Sequence, residues 1–136
     1  LDNLQAAILN IKLALLDNWT EERNKNAEFF AEKLKEYPVT LPYTPESHRH
    51  SFHLYVLRSK DAEEILKHLL RNGIESRAYY PVPLHLQECF GALGYKAGDF
   101  PESEKLSKEC FTIPIYPELV QEEKEHVVRT IKQFFD

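Results

Sequence analysis

Residues 51–80 read SFHLYVLRSKDAEEILKHLLRNGIESRAYY, and three successive patterns in this stretch decide the fold. Residues 51–58 are rich in aromatic and branched side chains and mostly apolar on both faces, the composition of a buried central strand. Asp61-Ala-Glu-Glu64 follows as a helix start, its Asp61 carboxylate placed to accept from first-turn amides. Ala62, Ile65, Leu66, Leu69 and Leu70 then recur as one apolar stripe up to Gly73, the residue type that ends helices in the left-handed conformation. Residues 74–80 read as a second strand. The whole is a strand-helix-strand unit, with a right-handed crossover if the two strands are parallel.

Upstream, Leu4, Ala7, Ile8, Ile11, Leu15, Trp19, Ala27, Phe30, Ala31 and Leu34 keep helical spacing, with Asp17-Asn18 as a break, which gives two consecutive helices. Downstream, Pro81 and Pro83 end the second strand because neither donates to a ladder. Gly91, Gly94 and Gly98 mark turns, and Pro101 with Glu102 and Glu104 behind it opens a helix to about Cys110. Residues 111–116, which carry Pro114, read as an edge strand. Residues 121–135 form the last helix, burying Val127, Val128, Ile131, Phe134 and Phe135. The fold class is therefore α/β: a small two-layer domain over residues 39–136, preceded by a helical segment over residues 1–38.

The 136 residues contain no Met, and the chain opens on helix-forming sequence. Both features lead us to expect a longer parent protein. With 22 acidic against 17 basic residues and a net charge of -5, the chain would repel a phosphate backbone, so nucleic acid is not an expected partner. No apolar run approaches the roughly 20 residues that span a bilayer. Cys89 and Cys110 lack the close spacing of a zinc or redox motif, so reduced thiols and a cytoplasmic setting are expected.

Chemistry-bearing residues concentrate in the proline-fixed loop that starts at Tyr79, and loops of this length inside a compact domain commonly carry function. His85 can donate or accept at neutral pH. Tyr79 and Tyr80 offer phenol donors to a polar ligand, or simply pack the strand end, and composition alone favours a structural reading for all three, His85 included. His48, His50 and His53 are close enough in sequence to suggest a transition-metal site. In extended chain, however, His48 and His50 share one face and His53 takes the other, so no metal site is expected. His53 is read as a structural hydrogen-bonding residue of the strand. There is no Gly-rich phosphate loop, nucleophile elbow or carboxylate pair in a recognisable frame.

Leu1-Asp-Asn-Leu-Gln-Ala-Ala-Ile-Leu9, Phe52-His-Leu-Tyr-Val56, Tyr80-Pro-Val-Pro-Leu-His-Leu-Gln87, Leu93-Gly-Tyr followed by Gly98-Asp-Phe-Pro101, and Ile113-Pro-Ile-Tyr-Pro-Glu-Leu119 occur in this order. Together they resemble the C-terminal third of the DegT/DnrJ/StrS-type sugar aminotransferases, over essentially the whole chain. The resemblance implies a fold-type I enzyme that uses pyridoxal 5'-phosphate (PLP) to move an amino group, usually from glutamate, onto a keto group of a nucleotide-linked sugar. It also implies a homodimer with active sites at the subunit interface. The Schiff-base lysine, the acidic partner of the pyridine nitrogen and the aromatic that stacks on the ring all lie upstream in the family. Neither a catalytic nor a cofactor-holding residue is therefore expected within this chain, and the chain alone is expected to be inactive.

In the family, the loop matching residues 79–85 lies near the sugar nucleotide, which makes Tyr79, Tyr80 and His85 the candidate substrate-binding residues. Tyr79 stands where a histidine is frequent. The first two helices would join a large PLP-binding domain, so Leu4, Ile8, Ile11 and Leu15 are expected to form an exposed apolar stripe here. A different class of reading is a freestanding ligand-binding or protein-interaction module with a similar core.

Overall fold

The computed structural model describes residues 2–136; Leu1, which begins the opening motif, lies outside them. Helix α1 (Asn3–Leu13) starts where the Asp2 carboxylate accepts from the Leu4 amide at 2.9 Å. Helix α2 (Leu16–Leu34) follows after a break at Ala14-Leu15. The expected break at Asp17-Asn18 falls instead within the first turn of α2, because Leu15 N–H turns back to Lys12 O at 3.0 Å and closes α1 earlier. No residue of α1 is buried, and Leu4, Ile8, Ile11 and Leu15 are exposed as the resemblance implied. By contrast, α2 buries Ala27, Phe30 and Leu34.

Strand β1 (Tyr55–Arg58) is shorter than the run 51–58 suggested. The reason is Phe52, whose φ of 43° puts a bulky residue in the left-handed region and breaks the extended run. That conformation is held from both sides. The Phe52 amide donates to His50 Nδ1 at 2.8 Å, and Arg23 Nη1 donates to both Phe52 O at 3.2 Å and Ile115 O at 2.9 Å. Burial alternates along β1: Tyr55 and Leu57 enter the core, while Val56 and Arg58 stay half-exposed on the other face. Only one face of the strand is thus covered, where two were expected.

Helix α3 (Ala62–Arg71) buries Ala62, Ile65 and Leu69, and the chain leaves it through Gly73 at φ 75°. Asp61 makes no capping bond with its side chain. Ser59 takes that place, its Oγ accepting from the Asp61 amide at 3.3 Å and its carbonyl from the Ala62 amide at 3.3 Å.

Residues 74–80 do not become the second strand of a parallel pair. Ile74 and Ser76 point inward and Glu75 and Arg77 outward, as in a strand. The backbone nevertheless reaches its neighbour only through Thr112 N–H to Arg77 O at 2.9 Å. The rest of the attachment uses side chains: Ser76 Oγ donates to Thr112 O, and Thr112 Oγ1 donates to Arg77 O at 3.1 Å and accepts from Arg77 N at 3.3 Å. The crossover geometry therefore does not arise.

The loop that follows is turned by short 3-10 segments at Leu84–Leu86 and Glu88–Leu93 and leads into α4 (Pro101–Glu109). Strand β2 (Cys110–Ile113) pairs antiparallel with β1, Tyr55 opposite Ile113 and Arg58 opposite Cys110. All four residues of β2 are buried, and the strand stops before Pro114. The expected edge strand 111–116 is thus one flank of a two-stranded sheet, its other side occupied by residues 76–77.

Helix α5 (Gln121–Phe135) packs against α2 and α3. Its Val127, Val128 and Ile131 join Phe30, Leu34, Tyr55, Leu57, Ile65, Leu69 and Phe111 in one core; Phe134 and Phe135 border it half-buried. Each such side chain contributes about 1.5–3 kcal/mol by leaving water. The result is the expected small α/β domain, helix-rich and with a sheet of two strands. No helix among the described residues is long and apolar enough to cross a membrane.

Candidate functional site

The half-covered face of β1 forms the floor of a groove of about 510 Å³. Val56 and Arg58 come from the strand, Thr40 and Pro42 from the segment before it, and Ser103, Leu106 and Ser107 from one side of α4. The remaining wall is the proline-fixed loop, which contributes Tyr79, Tyr80, Val82, Pro83, Leu84 and Gln87. Pro81 and Pro83 fix their own φ angles and so restrict the shapes this wall adopts. Its base is anchored by the Thr112 contacts to Arg77 and by Cys110 Sγ, which lies 3.3 Å from Tyr79 O.

Tyr79 and Tyr80 meet edge-to-face with ring centres 5.3 Å apart, Tyr80 being 70% exposed. A phenol so displayed is free to hydrogen-bond a ligand. His85 is placed differently. It does not line the groove; its side chain is only 7% exposed, its ring lies 4.8 Å from that of Phe100, and its Nε2 is 3.1 Å from Glu104 Oε1. The same Glu104 oxygen accepts from the Gly98 amide at 2.8 Å. That backbone bond is the main cause holding the Glu104 carboxyl below its usual range, with His85 adding to it against the opposing effect of burial. An ionised carboxylate can only accept, so His85 donates from Nε2. Of the three candidate residues, the structure therefore brings two together on the groove and places the third beneath the loop.

Arg58 is the charged group on the groove that the sequence reading did not single out. Its Nη2 donates to Glu109 Oε2 at 2.8 Å, which lowers the Glu109 carboxyl, while its Nε is buried with no partner among the described residues. The signal available was a lone cation closing an apolar strand. The histidine cluster disperses. His48 Nδ1 lies 3.0 Å from Ser47 Oγ, His50 accepts from Phe52, and His53 sits before β1, exposed, on a second groove with Arg77 and Tyr116. His53 is thus not the strand residue expected, because the extended run breaks at Phe52. Among the described residues no group of three or more His, Cys, Asp or Glu is arranged to hold a metal ion.

The sequence profile of the DegT/DnrJ/EryC1/StrS aminotransferase family matches residues 1–132, and the chain belongs to this family. Among curated relatives it is 43% identical over 99% of its length to the "Pleiotropic regulatory protein" of Geobacillus stearothermophilus. It is 34% identical over 98% of its length to dTDP-3-amino-3,6-dideoxy-alpha-D-galactopyranose transaminase of Aneurinibacillus thermoaerophilus. The chain spans 37% and 36% of those two proteins. Among solved structures, DesV of S. venezuelae superposes with a TM-score of 0.94 at 30% identity, over 98% of this chain and 36% of that one. A family aminotransferase from Brucella abortus gives 0.90 at 32% identity, with the same coverage.

The family is PLP-dependent. No lysine lines the 510 Å³ groove or the second groove beside it, whereas Lys60 and Lys105 line a further groove that shares Thr40 and Arg58 with the first.

Proposed function

We propose that this chain is the C-terminal portion of a PLP-dependent aminotransferase, cytoplasmic and homodimeric, that transfers an amino group from glutamate to a keto group of a nucleotide-linked sugar. The single observation that carries the reading is the family match across the whole domain, with relatives named as dTDP-sugar transaminases. On this reading the labour is divided. The covalent and cofactor-binding groups belong to the rest of the protein, and the groove wall carrying Tyr79 and Tyr80 faces the sugar nucleotide.

Tyr80 supplies a phenol donor from a wall whose shape is already restricted, which lowers the ordering cost of binding. Losing one hydrogen bond to a buried ligand group costs about 1–3 kcal/mol, or roughly 5- to 150-fold in affinity. In the full-length protein, Tyr80→Phe should weaken use of the sugar substrate by that factor while the half-reaction with glutamate stays near wild type. Stopped-flow measurement of the two half-reactions decides it. A wild-type protein that aminates no nucleotide-linked keto sugar would refute the functional reading, and an unaltered sugar half-reaction in Tyr80→Phe would refute the role of Tyr80.

A further inference from the structure

The loop that walls the groove is fastened at two ends of different chemistry. At its base, Thr112 and Cys110 hold Arg77 and Tyr79 to β2. At its far end there is no sheet to hold it, yet His85 is nearly enclosed. Its anchor is Glu104, whose single Oε1 accepts from both the His85 ring and the Gly98 amide.

Gly98 stands at φ 96°, a turn conformation that L side chains seldom adopt. The carboxylate therefore joins two arms of the loop, one in the first 3-10 turn and one after the second, to the first turn of α4. Glu104 lies on the same helix as Ser103 and Ser107, which line the groove, while Leu84, the neighbour of His85, lines the opposite wall. Between His85 and Tyr80 lie only four residues, two of them prolines, so a displacement at His85 has few torsions in which to dissipate before it reaches Tyr80.

We propose that Glu104 is a positioning residue for the groove: by holding His85 and Gly98 through one oxygen, it fixes the separation of the Tyr80 wall from α4 and hence the fit of the ligand. Glu104 does not itself line the groove. The claim rests on the reading of the groove as the sugar-nucleotide side of an aminotransferase, but the joint can be tested apart from that reading. Both bonds fall on one acceptor oxygen, so the amide oxygen of a glutamine serves in its place, and charge is not what the joint requires.

The test is Glu104→Ala against Glu104→Gln in the full-length protein, with two measurements. Amide hydrogen exchange should accelerate about 10-fold or more at Gly98 and at residues 84–87 in Glu104→Ala, with α5 unchanged, and return to wild type in Glu104→Gln. Steady-state kinetics should show the KM for the nucleotide-linked sugar raised about 5- to 20-fold in Glu104→Ala with kcat within about threefold, and restored in Glu104→Gln.

Unchanged exchange in Glu104→Ala overturns the joint. Faster exchange with an unchanged KM overturns the positioning role, as does a loss of kcat equal to the rise in KM or a failure of glutamine to restore. If the wild-type protein uses no nucleotide-linked sugar, the functional reading fails while the exchange result still decides whether the joint exists.

Discussion

Thr112→Val is the sharpest perturbation of the domain's unusual feature, an extended segment tied to β2 mainly by side chains. The substitution keeps the shape of a buried residue and removes one hydroxyl. With it go the bond from Oγ1 to Arg77 O at 3.1 Å and the bond from Arg77 N at 3.3 Å. Arg77 O keeps a partner, since Thr112 N–H still donates to it at 2.9 Å. Arg77 N loses its partner at a part-buried contact. Two partly compensated bonds at about 1 kcal/mol net each give a loss of about 1–2 kcal/mol. With a urea slope of about 2 kcal/mol/M for a chain of this size, the midpoint should fall by about 0.5–1 M. Amide exchange at residues 76–80 should accelerate more than at α3. Ser76→Ala acts on the same joint through Thr112 O, so the double variant should lose less than the sum of the two singles. A midpoint unchanged within about 0.2 M, with exchange at 76–80 unaltered, would show that the segment is held by Ile74 packing and not by Thr112.

Asp61→Ala should change stability by less than about 0.5 kcal/mol in urea titration, against the 0.5–2 kcal/mol lost with a true cap, because Asp61 makes no capping bond with its side chain. Burial pushes the Tyr55 phenol up to about 12. A raised folded pKa means that the stabilisation of the neutral phenol is complete below pH 10 and drains away between pH 10 and 12. Thermal melts across that window should fall more steeply for wild type than for Tyr55→Phe, and parallel curves would contradict the assignment. Leu4→Glu with Ile8→Glu should reduce self-association in sedimentation experiments without lowering Tm, since no α1 residue is buried. A lowered Tm would mean that α1 packs on the domain in solution.

The elements that the sequence revealed are those whose cause is local. The stripe of Ile65, Leu66 and Leu69 ending at Gly73 specifies α3, and Pro101 with its acidic neighbours specifies the start of α4, because periodicity and capping act within a few residues. The strand errors share a different cause. Phe52 has the composition of a strand residue, yet Arg23, 29 positions away, holds its carbonyl in a left-handed turn. Residues 74–77 alternate inward and outward as a strand does, but the residue they attach to is Thr112, 35 positions from Arg77. Composition reports that a segment is extended and cannot report what it pairs with.

The same limit governed the site. Tyr80 and His85 look equivalent in sequence, two polar aromatic groups flanking Pro81-Val-Pro-Leu84, and they also sit together in the family motif. What separates them is Glu104, 19 positions beyond His85, and Phe100 packed on the imidazole. A histidine held by an ionised carboxylate, with its ring 4.8 Å from a phenyl, has already spent its Nε2 proton on the fold. Tyr80, 70% exposed on the groove, has not. The sequence could propose which residues gather at the loop, but seeing that the His85 Nε2 is engaged by Glu104 while the Tyr80 phenol stays exposed required the fold.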